Sequence, residues 1–302
     1  MTNFVPLTDR DDWYPAYRRR RLDAHLALGV PAAAAEALVD QSVDPEYDWT
    51  AVAIDDADGR RVGRLVLGIV RPQGTPVGRI VELWTDPALD ADGGHRRAAR
   101  GWARAWCAER AAQRMSVVLA EPDETFADLP IRAQSRFKAI ASAPEGPSAV
   151  LVRPMAEDEF PAWLAEEKEQ YVADIVRSGV KTPEEARKQA EQDYLDVLPD
   201  GLATPETTVL TVESAGVPVA SVWLRHNYLP GVSFLYSVTV GAEHRGRGLG
   251  RSAMVLADRA VVAAGDLALL FNVFGGNHVA LSLYDSAGYA VLDESRSLPL
   301  DG

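Results

Sequence analysis

Alternating apolar and polar positions mark three consecutive strands in the second half of the chain. Thr207–Glu213, Val217–Arg225 and Ser233–Val240 each alternate with period two, and turn residues separate them. Segments with helical periodicity lie before and after these strands. In chain order we predict a strand Ala149–Val152, helices Glu157–Arg177 and Thr182–Leu198, the three strands, a helix Leu249–Ala264, a strand Leu267–Val273, a helix Asn277–Ala287 and a strand Tyr289–Asp293. The fold class expected from this order is α/β (α+β), with helices flanking a mixed, mostly antiparallel sheet.

The first half of the chain repeats the second half in a less regular form. Pro6 and Pro154 lie 148 positions apart, and His95-Arg96 and His244-Arg245 lie 149 apart. A near-constant offset favours a tandem repeat over coincidence in a chain rich in Ala and Arg. We therefore predict two domains, 1–145 and 146–302, which meet at the Pro- and Gly-containing segment Ser142–Pro147.

Composition limits the classes of function. The hydrophobic fraction is 47% and the formal net charge is −13, so we expect a globular protein without a nucleic-acid partner, which would need a basic surface. Cys107 is the single cysteine, and we expect no disulfide and no metal cluster. The sequence indicates no membrane span and no secretory signal, and a cytoplasmic location is the expectation.

A glycine-rich loop is the strongest local signal. Arg245-Gly246-Arg247-Gly248-Leu249-Gly250-Arg251 follows the strand ending in Val238-Thr239-Val240 and opens an apolar-periodic helix. Glycines allow close backbone approach, and free N–H groups at a helix start bind anions, so the loop suits a pyrophosphate. Its glycine spacing fits neither the P-loop nor the dinucleotide fingerprint. Taken alone, the segment is also compatible with a flexible glycine turn.

A second constellation follows in the segment from Asn277 to Tyr289. Asn277 is a suitable helix N-cap, and Tyr284, seven residues on, lies on the same helix face. This arrangement brings a polar cap and a phenol to the end of a strand. The alternative is a capped amphipathic helix with a partly buried tyrosine.

Together the two motifs resemble the Gcn5-related N-acetyltransferase (GNAT) superfamily. Arg245-x-x-Gly248-x-Gly250 matches its coenzyme A loop, and Asn277-x-x-Ala280-x-x-Leu283-Tyr284 matches its following helix. The resemblance covers Val150–Asp293 well and implies acetyl-CoA as co-substrate, with no metal. The tandem layout also resembles, more weakly, two-domain acetyltransferases such as mycothiol synthase. The resemblance implies that Tyr284 is the general acid and that the coenzyme is bound by Val238, Thr239, Val240, Arg245, Gly246, Arg247, Gly248, Leu249, Gly250, Arg251 and Asn277.

Two departures from the family pattern affect the expected chemistry. Many relatives carry a carboxylate on the strand before the loop, but Phe234–Val240 has none, so the base is left open between Glu213, His226 through a water, and solvent. In the first half, at an offset of 149, Ala99 stands at the place of Gly248 and Ser135 at that of Tyr284. We therefore expect domain 1–145 to be a degenerate, non-catalytic copy.

These patterns favour an N-acetyltransferase that transfers an acetyl group from acetyl-CoA to a primary amine by direct attack. A non-catalytic acetyl-CoA sensor or a tandem scaffold with two relic loops are the competing hypotheses. Tyr284 favours the enzyme, because neither alternative needs a phenol at this position. The acceptor cannot be chosen from the residues, and either a monomer or a homodimer is expected.

Overall fold

The computed structural model describes residues 1–148, 150–179 and 181–300. Ala149, the first residue of one predicted strand, lies outside them. The helices are α1 Tyr14–Ala27, α2 Ala32–Ser42, α3 Gly94–Glu109, α4 Phe160–Arg177, α5 Pro183–Val197, α6 Leu249–Ala263 and α7 His278–Ser286. The strands are β1 Asn3–Leu7, β2 Trp49–Asp55, β3 Arg61–Val70, β4 Val77–Thr85, β5 Arg114–Leu119, β6 Ile131–Ala139, β7 Leu151–Pro154, β8 Thr207–Ser214, β9 Val217–Leu229, β10 Val232–Val240, β11 Ala268–Phe274 and β12 Ala290–Pro299.

The element order of the second half is the one predicted from its sequence. Several boundaries differ, most of all the ends of β9, which continues to Leu229, and β12, which continues to Pro299. Helix α4 begins at Phe160 rather than Glu157, because Glu159 folds back to accept a hydrogen bond from the backbone N–H of Ala156 (2.9 Å). Helix α5 begins as predicted, with Thr182 and Glu185 forming a reciprocal capping box.

The chain forms two compact units, and each unit combines segments that are separate in sequence. Unit 1 contains Met1–His25, Glu36–Ile131 and the C-terminal segment from Asp293, and unit 2 contains Leu26–Ala35 and Arg132–Leu292. Most of β6 therefore belongs to unit 2, and most of β12 belongs to unit 1. This division differs from the predicted cut near residue 145, because strand pairing is decided by partners far away in sequence rather than by local composition.

Each unit is built on a mixed, mostly antiparallel sheet, which confirms the predicted fold class. The strand order is β1-β2-β3-β4-β5-β12 in unit 1 and β6-β11-β10-β9-β8-β7 in unit 2. Only the pairs β4–β5 and β10–β11 are parallel among the strand pairs described.

The sheet of unit 2 has a different apolar cluster on each face. On one face Leu235 and Val238 of β10 pack with Met254 of α6. On the other, Tyr236 of β10 packs with Trp163 of α4 and Tyr194 of α5. The strict alternation of strand β10 is interrupted between Leu235 and Ser237, where the pairing with β9 shifts register, and Leu235 and Val238 can therefore share a face although they are three residues apart.

Candidate active site

The parallel strands β10 and β11 diverge after a short paired segment. Their ladder joins Val232–Phe234 to Ala268–Leu270 and ends there. Both strands continue, β10 paired with β9 as far as Val240 and β11 paired with β6 as far as Phe274. Within the described chain, the edge of β10 from 235 to 240 that faces β11 consequently has no ladder partner. Such an edge can pair with an extended ligand that carries amide groups.

The glycine loop joins this open edge to the start of α6. Gly246 and Gly248 have φ values of +76° and +78°, in the left-handed region that glycine adopts without strain. Gly248 is the N-cap of α6 and supplies no side-chain hydrogen bond to the first turn. A Cβ added at either glycine would have no atom within 4 Å. The space beside both glycines is therefore open, as an anion site at a helix start requires.

The other predicted loop residues divide into two groups. Arg245, Arg247 and Arg251 are exposed beside the loop, and the Arg245 Nε donates to the carbonyl of Val240 (3.2 Å). Gly250 has a packing reason, because a Cβ there would lie 3.2 Å from Leu283 Cδ2 on α7. The structure thus brings Val238–Val240 and the loop together at one edge of the β10–β11 gap.

Helix α7 carries Tyr284 to the same gap. Asn277 caps the helix as predicted, with its Oδ1 accepting from the N–H of Ala280 (3.2 Å). The ring of Tyr284 packs on Phe271, with 4.4 Å between centroids, and Phe271 is the first β11 residue beyond the paired segment. Its hydroxyl has no hydrogen-bond partner among the residues that the structure describes. Burial raises the pKa of Tyr284 to about 12, so the phenol keeps its proton at neutral pH.

Neither base suggested by the sequence is free at the gap. Both ring nitrogens of His226 are hydrogen-bonded, Nδ1 to Ser233 Oγ (2.9 Å) and Nε2 to Thr208 Oγ1 (3.0 Å). Ser233 lies in the closed, paired part of β10, and burial lowers the pKa of His226. Glu213 on β8 accepts from Arg153 Nε at 2.7 Å. Both side chains therefore have structural partners away from the open edge of β10.

The sequence analysis missed a carboxylate that does lie beside this edge. Glu167 is on α4, is only 4% exposed, and accepts a hydrogen bond from Thr239 Oγ1 at 2.7 Å. Its pKa is raised, because burial penalises the charged form more than the Thr239 and Ser237 hydroxyls favour it. A signal was present in the sequence, since Glu167 lies four residues after Trp163 and four before Tyr171, on the same side of the helix as these two aromatic residues.

The corresponding loop of unit 1 differs in a way that the sequence comparison misjudged. Strands β4 and β10 have equal length and lie 155 positions apart, so Gly93, not Ala99, corresponds to Gly248. The pairing of Ala99 with Gly248 is wrong because the offset grows after the first helices, and Ala99 lies fully buried inside α3. Ser135 is likewise not the counterpart of Tyr284, because it lies on β6.

In unit 1 the protein's own carboxylates occupy the helix start. Asp90, 6% exposed, accepts from the N–H groups of His95 (2.8 Å) and Arg96 (3.0 Å). Asp92 accepts from the N–H of Gly94 at 3.0 Å. By the same offset, Asp90 stands where Arg245 stands in unit 2. A helix start already capped by a carboxylate disfavours a phosphate, because the amides are used and the charges repel.

Comparison with known proteins identifies the class. Residues 158–289 match the family model described as Acetyltransferase (GNAT) family. Over these residues the C-terminal half of the chain is similar to the GNAT acetyltransferase family, in agreement with the resemblance found in the sequence.

Individual relatives agree with this class. The protein named uncharacterized N-acetyltransferase YycN from Bacillus subtilis is 27% identical over 155 residues, which cover 50% of this chain and 99% of that protein. Another B. subtilis protein, named uncharacterized N-acetyltransferase YdgE, is 27% identical over 146 residues, covering 47% of this chain and 93% of the relative. A crystal structure of a GCN5-related N-acetyltransferase from Sphaerobacter thermophilus covers 100% of this chain and 96% of its own, with a TM-score of 0.55 and 16% identity. At that identity the likeness concerns the fold alone, and it extends over both halves.

Two other kinds of site are absent from the described residues. No helix there is long and apolar enough to cross a membrane. Nor do the described residues contain a group of three or more His, Cys, Asp or Glu side chains that could hold a metal ion.

Proposed function

We propose that unit 2 transfers an acetyl group from acetyl-CoA to a primary amine. The observation that carries this proposal is the β10–β11 ladder, which ends after three residue pairs and leaves the edge 235–240 open between an uncapped helix start and Tyr284. Acetyl-CoA has chemistry that matches this order of groups. Its pyrophosphate suits the amides of Gly246–Arg251, and its two-amide pantetheine arm suits the main chain of Val238–Val240.

The residues at the gap then have separate tasks. Main-chain groups of β10 would orient the thioester, and the loop with its exposed arginines would hold the phosphates. Asn277 keeps α7 in place as its cap and lies close in sequence to the glycine turn that precedes the helix. Tyr284 would donate its proton to the sulfur as the carbon–sulfur bond breaks. A phenol with a raised pKa is protonated before the reaction and can reprotonate a thiolate whose own pKa is near 8.5.

Acetyl-CoA titration by calorimetry tests this proposal. We expect one site per chain and no detectable binding for Gly248→Val, because the added side chain would fill the space over the loop amides and strain a φ of +78°. Gly93→Val is the matched control, since Gly93 is the N-cap of α3 with a φ of +66°. It introduces similar strain in unit 1, and its acetyl-CoA affinity should equal that of the wild type. Two equal sites per chain, or binding lost in Gly93→Val alone, would contradict the proposal.

A further inference from the structure

Glu167 is an unusual residue to find inside a protein without a cationic partner. Buried carboxylates are normally paired with Lys or Arg, because the charged form is costly outside water. None of the ion pairs in the described chain includes Glu167, and the polar groups beside its carboxylate are the hydroxyls of Thr239 and Ser237. These neutral hydroxyl donors do not compensate the burial of the charge. The fold thus holds a carboxylate whose affinity for a proton is increased.

Glu167 lies beside the open part of β10. Thr239 belongs to the segment that has no partner on the β11 side, and it points to the face covered by α4. Tyr284 packs with the cluster on the other face, which contains Leu235 and α6. The gap between β10 and β11 therefore has a carboxylate on one face of the sheet and a phenol on the other. The proton that leaves the amine and the proton that reaches the sulfur would then be handled by different groups, Glu167 and Tyr284, and the two transfers would not compete.

The charged and titratable groups around Glu167 reinforce its raised proton affinity. Glu166 and Asp174 on its own helix act in the same direction as burial. From α5, Tyr194 faces it, and the Glu167 charge contributes to the raised pKa of that phenol. Lys168, also on α4, places its Nζ 5.7 Å from the centroid of the Tyr194 ring, and no described ion pair joins it to Glu167.

The corresponding helix of unit 1 carries the opposite charge at this position. Tyr14-Pro15-Ala16-Tyr17 aligns with Phe160-Pro161-Ala162-Trp163, which puts Arg21 at the position of Glu167. The Nη2 of Arg21 donates a hydrogen bond to Asp293 Oδ1 at 2.6 Å. The fold therefore does not need a carboxylate at this inner position of the helix. Unit 2, which has the open glycine loop, is the unit that carries a carboxylate at this position.

We infer that Glu167 is the general base of the acetyl transfer, a conclusion that rests on the proposed function. The acceptor ammonium gives one proton to Glu167, and the free amine attacks the thioester carbonyl carbon. The carbon–nitrogen bond forms and the carbon–sulfur bond breaks. The sulfur takes the proton of Tyr284, Tyr284 recovers one from the nitrogen, and Glu167 releases its proton to solvent. The net products are the amide, coenzyme A and one proton.

Glu167→Gln is the test, with thiol release from acetyl-CoA measured on a panel of aliphatic and aromatic primary amines. Glutamine can still accept the Thr239 hydrogen bond, so acetyl-CoA affinity should stay within a few-fold. Turnover near neutral pH should fall by about 10²–10⁴-fold, the usual value of a general base. The loss should shrink as pH rises toward the pKa of the amine, because free amine then forms without a base. The control is Glu166→Gln, an exposed neighbour on α4, which should behave as the wild type.

Stability provides a readout that a merely structural role would not give. A carboxylate whose folded-state pKa is raised stabilises the fold at low pH, and this stabilisation is lost as pH rises through the folded-state value. Glu167→Gln removes the buried charge, so its melting temperature should exceed that of the wild type at pH 8 and approach it near pH 4. A variant that is less stable than the wild type at pH 8 would assign Glu167 a structural role and overturn the inference.

The two proposals fail in different ways. A wild-type protein that does not bind acetyl-CoA overturns the proposed function and this inference with it. A wild type that releases thiol while Glu167→Gln does so within a few-fold at every pH overturns the inference alone. An equal loss in Glu166→Gln also overturns it, because the effect would then follow the charge of α4 and not the buried carboxylate.

Discussion

Tyr284, which is partly buried, and Tyr289, which is buried, are two phenols of unit 2 with different surroundings. The Tyr289 hydroxyl donates to Asp258 at 2.5 Å, and Asp258 also accepts from Lys138 Nζ at 2.6 Å. The Tyr284 hydroxyl has no such partner in the described chain. A phenol that is held in a network serves stability, whereas one that faces a gap is available to a ligand.

We expect Tyr284→Phe to lower turnover by about 10–10³-fold while acetyl-CoA affinity stays within a few-fold. The phenol acts only when charge develops on the sulfur, so its loss appears in the rate and not in ground-state binding. Steady-state thiol release and calorimetry measure the two quantities. Tyr289→Phe is the control, and it should keep its turnover but lose about 1–3 kcal/mol of unfolding free energy, because buried Asp258 loses a donor. Equal turnover in Tyr284→Phe and wild type would reduce Tyr284 to a packing residue.

Residue roles could be predicted where the sequence motif is local. The caps Thr182 and Asn277 are confirmed, because a cap and its partner are only three residues apart. Glu167 was missed for the opposite reason. It stands in the charged run from Glu166 to Glu169, which resembles a solvated helix face, and only the packing of α4 on β10 reveals that one of these carboxylates is buried.

At the scale of elements, helices α3 and α6 begin in contrasting ways. Both follow a strand through a loop of similar length and start after a left-handed glycine. Helix α3 has its first amides satisfied by Asp90, and α6 has no side-chain cap. Unsatisfied helix starts cost stability, so α6 would gain the most from a bound anion.

We expect Asp90→Ala to lower the unfolding free energy by about 0.5–2 kcal/mol, the usual cost of removing a carboxylate cap. Chemical denaturation measures this change. Acetyl-CoA binding should keep its stoichiometry of one, because Gly248 and the α6 loop are untouched and Asp92 still caps Gly94 in unit 1. A second site in Asp90→Ala would mean that this carboxylate alone had blocked unit 1. No change in stability would mean that water replaces the cap at no cost.

Element order could be predicted because hydrophobic periodicity is a local property of the chain. The correspondence between the halves could be predicted only at its start. Pro6 and Pro154 do lie near the ends of the equivalent strands β1 and β7, but the offset grows from 148 to 155 by the time the chain reaches β4 and β10. Extra residues in the helical region of unit 2 cause this growth, and a constant offset therefore misaligned the loop.

At the scale of the whole molecule, the last strand of each half belongs mainly to the other unit. In unit 2, β6 pairs with β11 over seven residue pairs, from Ala268–Ala139 to Phe274–Ala133. It also supplies Lys138 to the buried carboxylate of Asp258. Sequence could not reveal this exchange, because either candidate strand would suit the edge of either sheet by its apolar pattern.

We therefore expect a fragment cut at the predicted domain boundary, 146–302, to fold worse than the longer fragment 132–302. The shorter fragment lacks β6, so β11 is left with an open apolar edge and Asp258 loses the cation that neutralises it. An open edge promotes aggregation, and breaking a buried pair by removing one partner costs about 3–5 kcal/mol.

Circular dichroism melting and acetyl-CoA calorimetry on both fragments measure the difference. Fragment 132–302 should melt in a cooperative transition and bind one acetyl-CoA, since it keeps the whole β6–β11 ladder, the loop and Tyr284. Both fragments lack Leu26–Ala35, which also belongs to unit 2, so this loss is common to the pair and cancels in the comparison. Lys138→Met in fragment 132–302 separates the two causes, because it keeps the strand but removes the cation. Equal melting and equal binding by 146–302 and 132–302 would show that β6 is dispensable and that the cut near residue 145 is the true domain boundary.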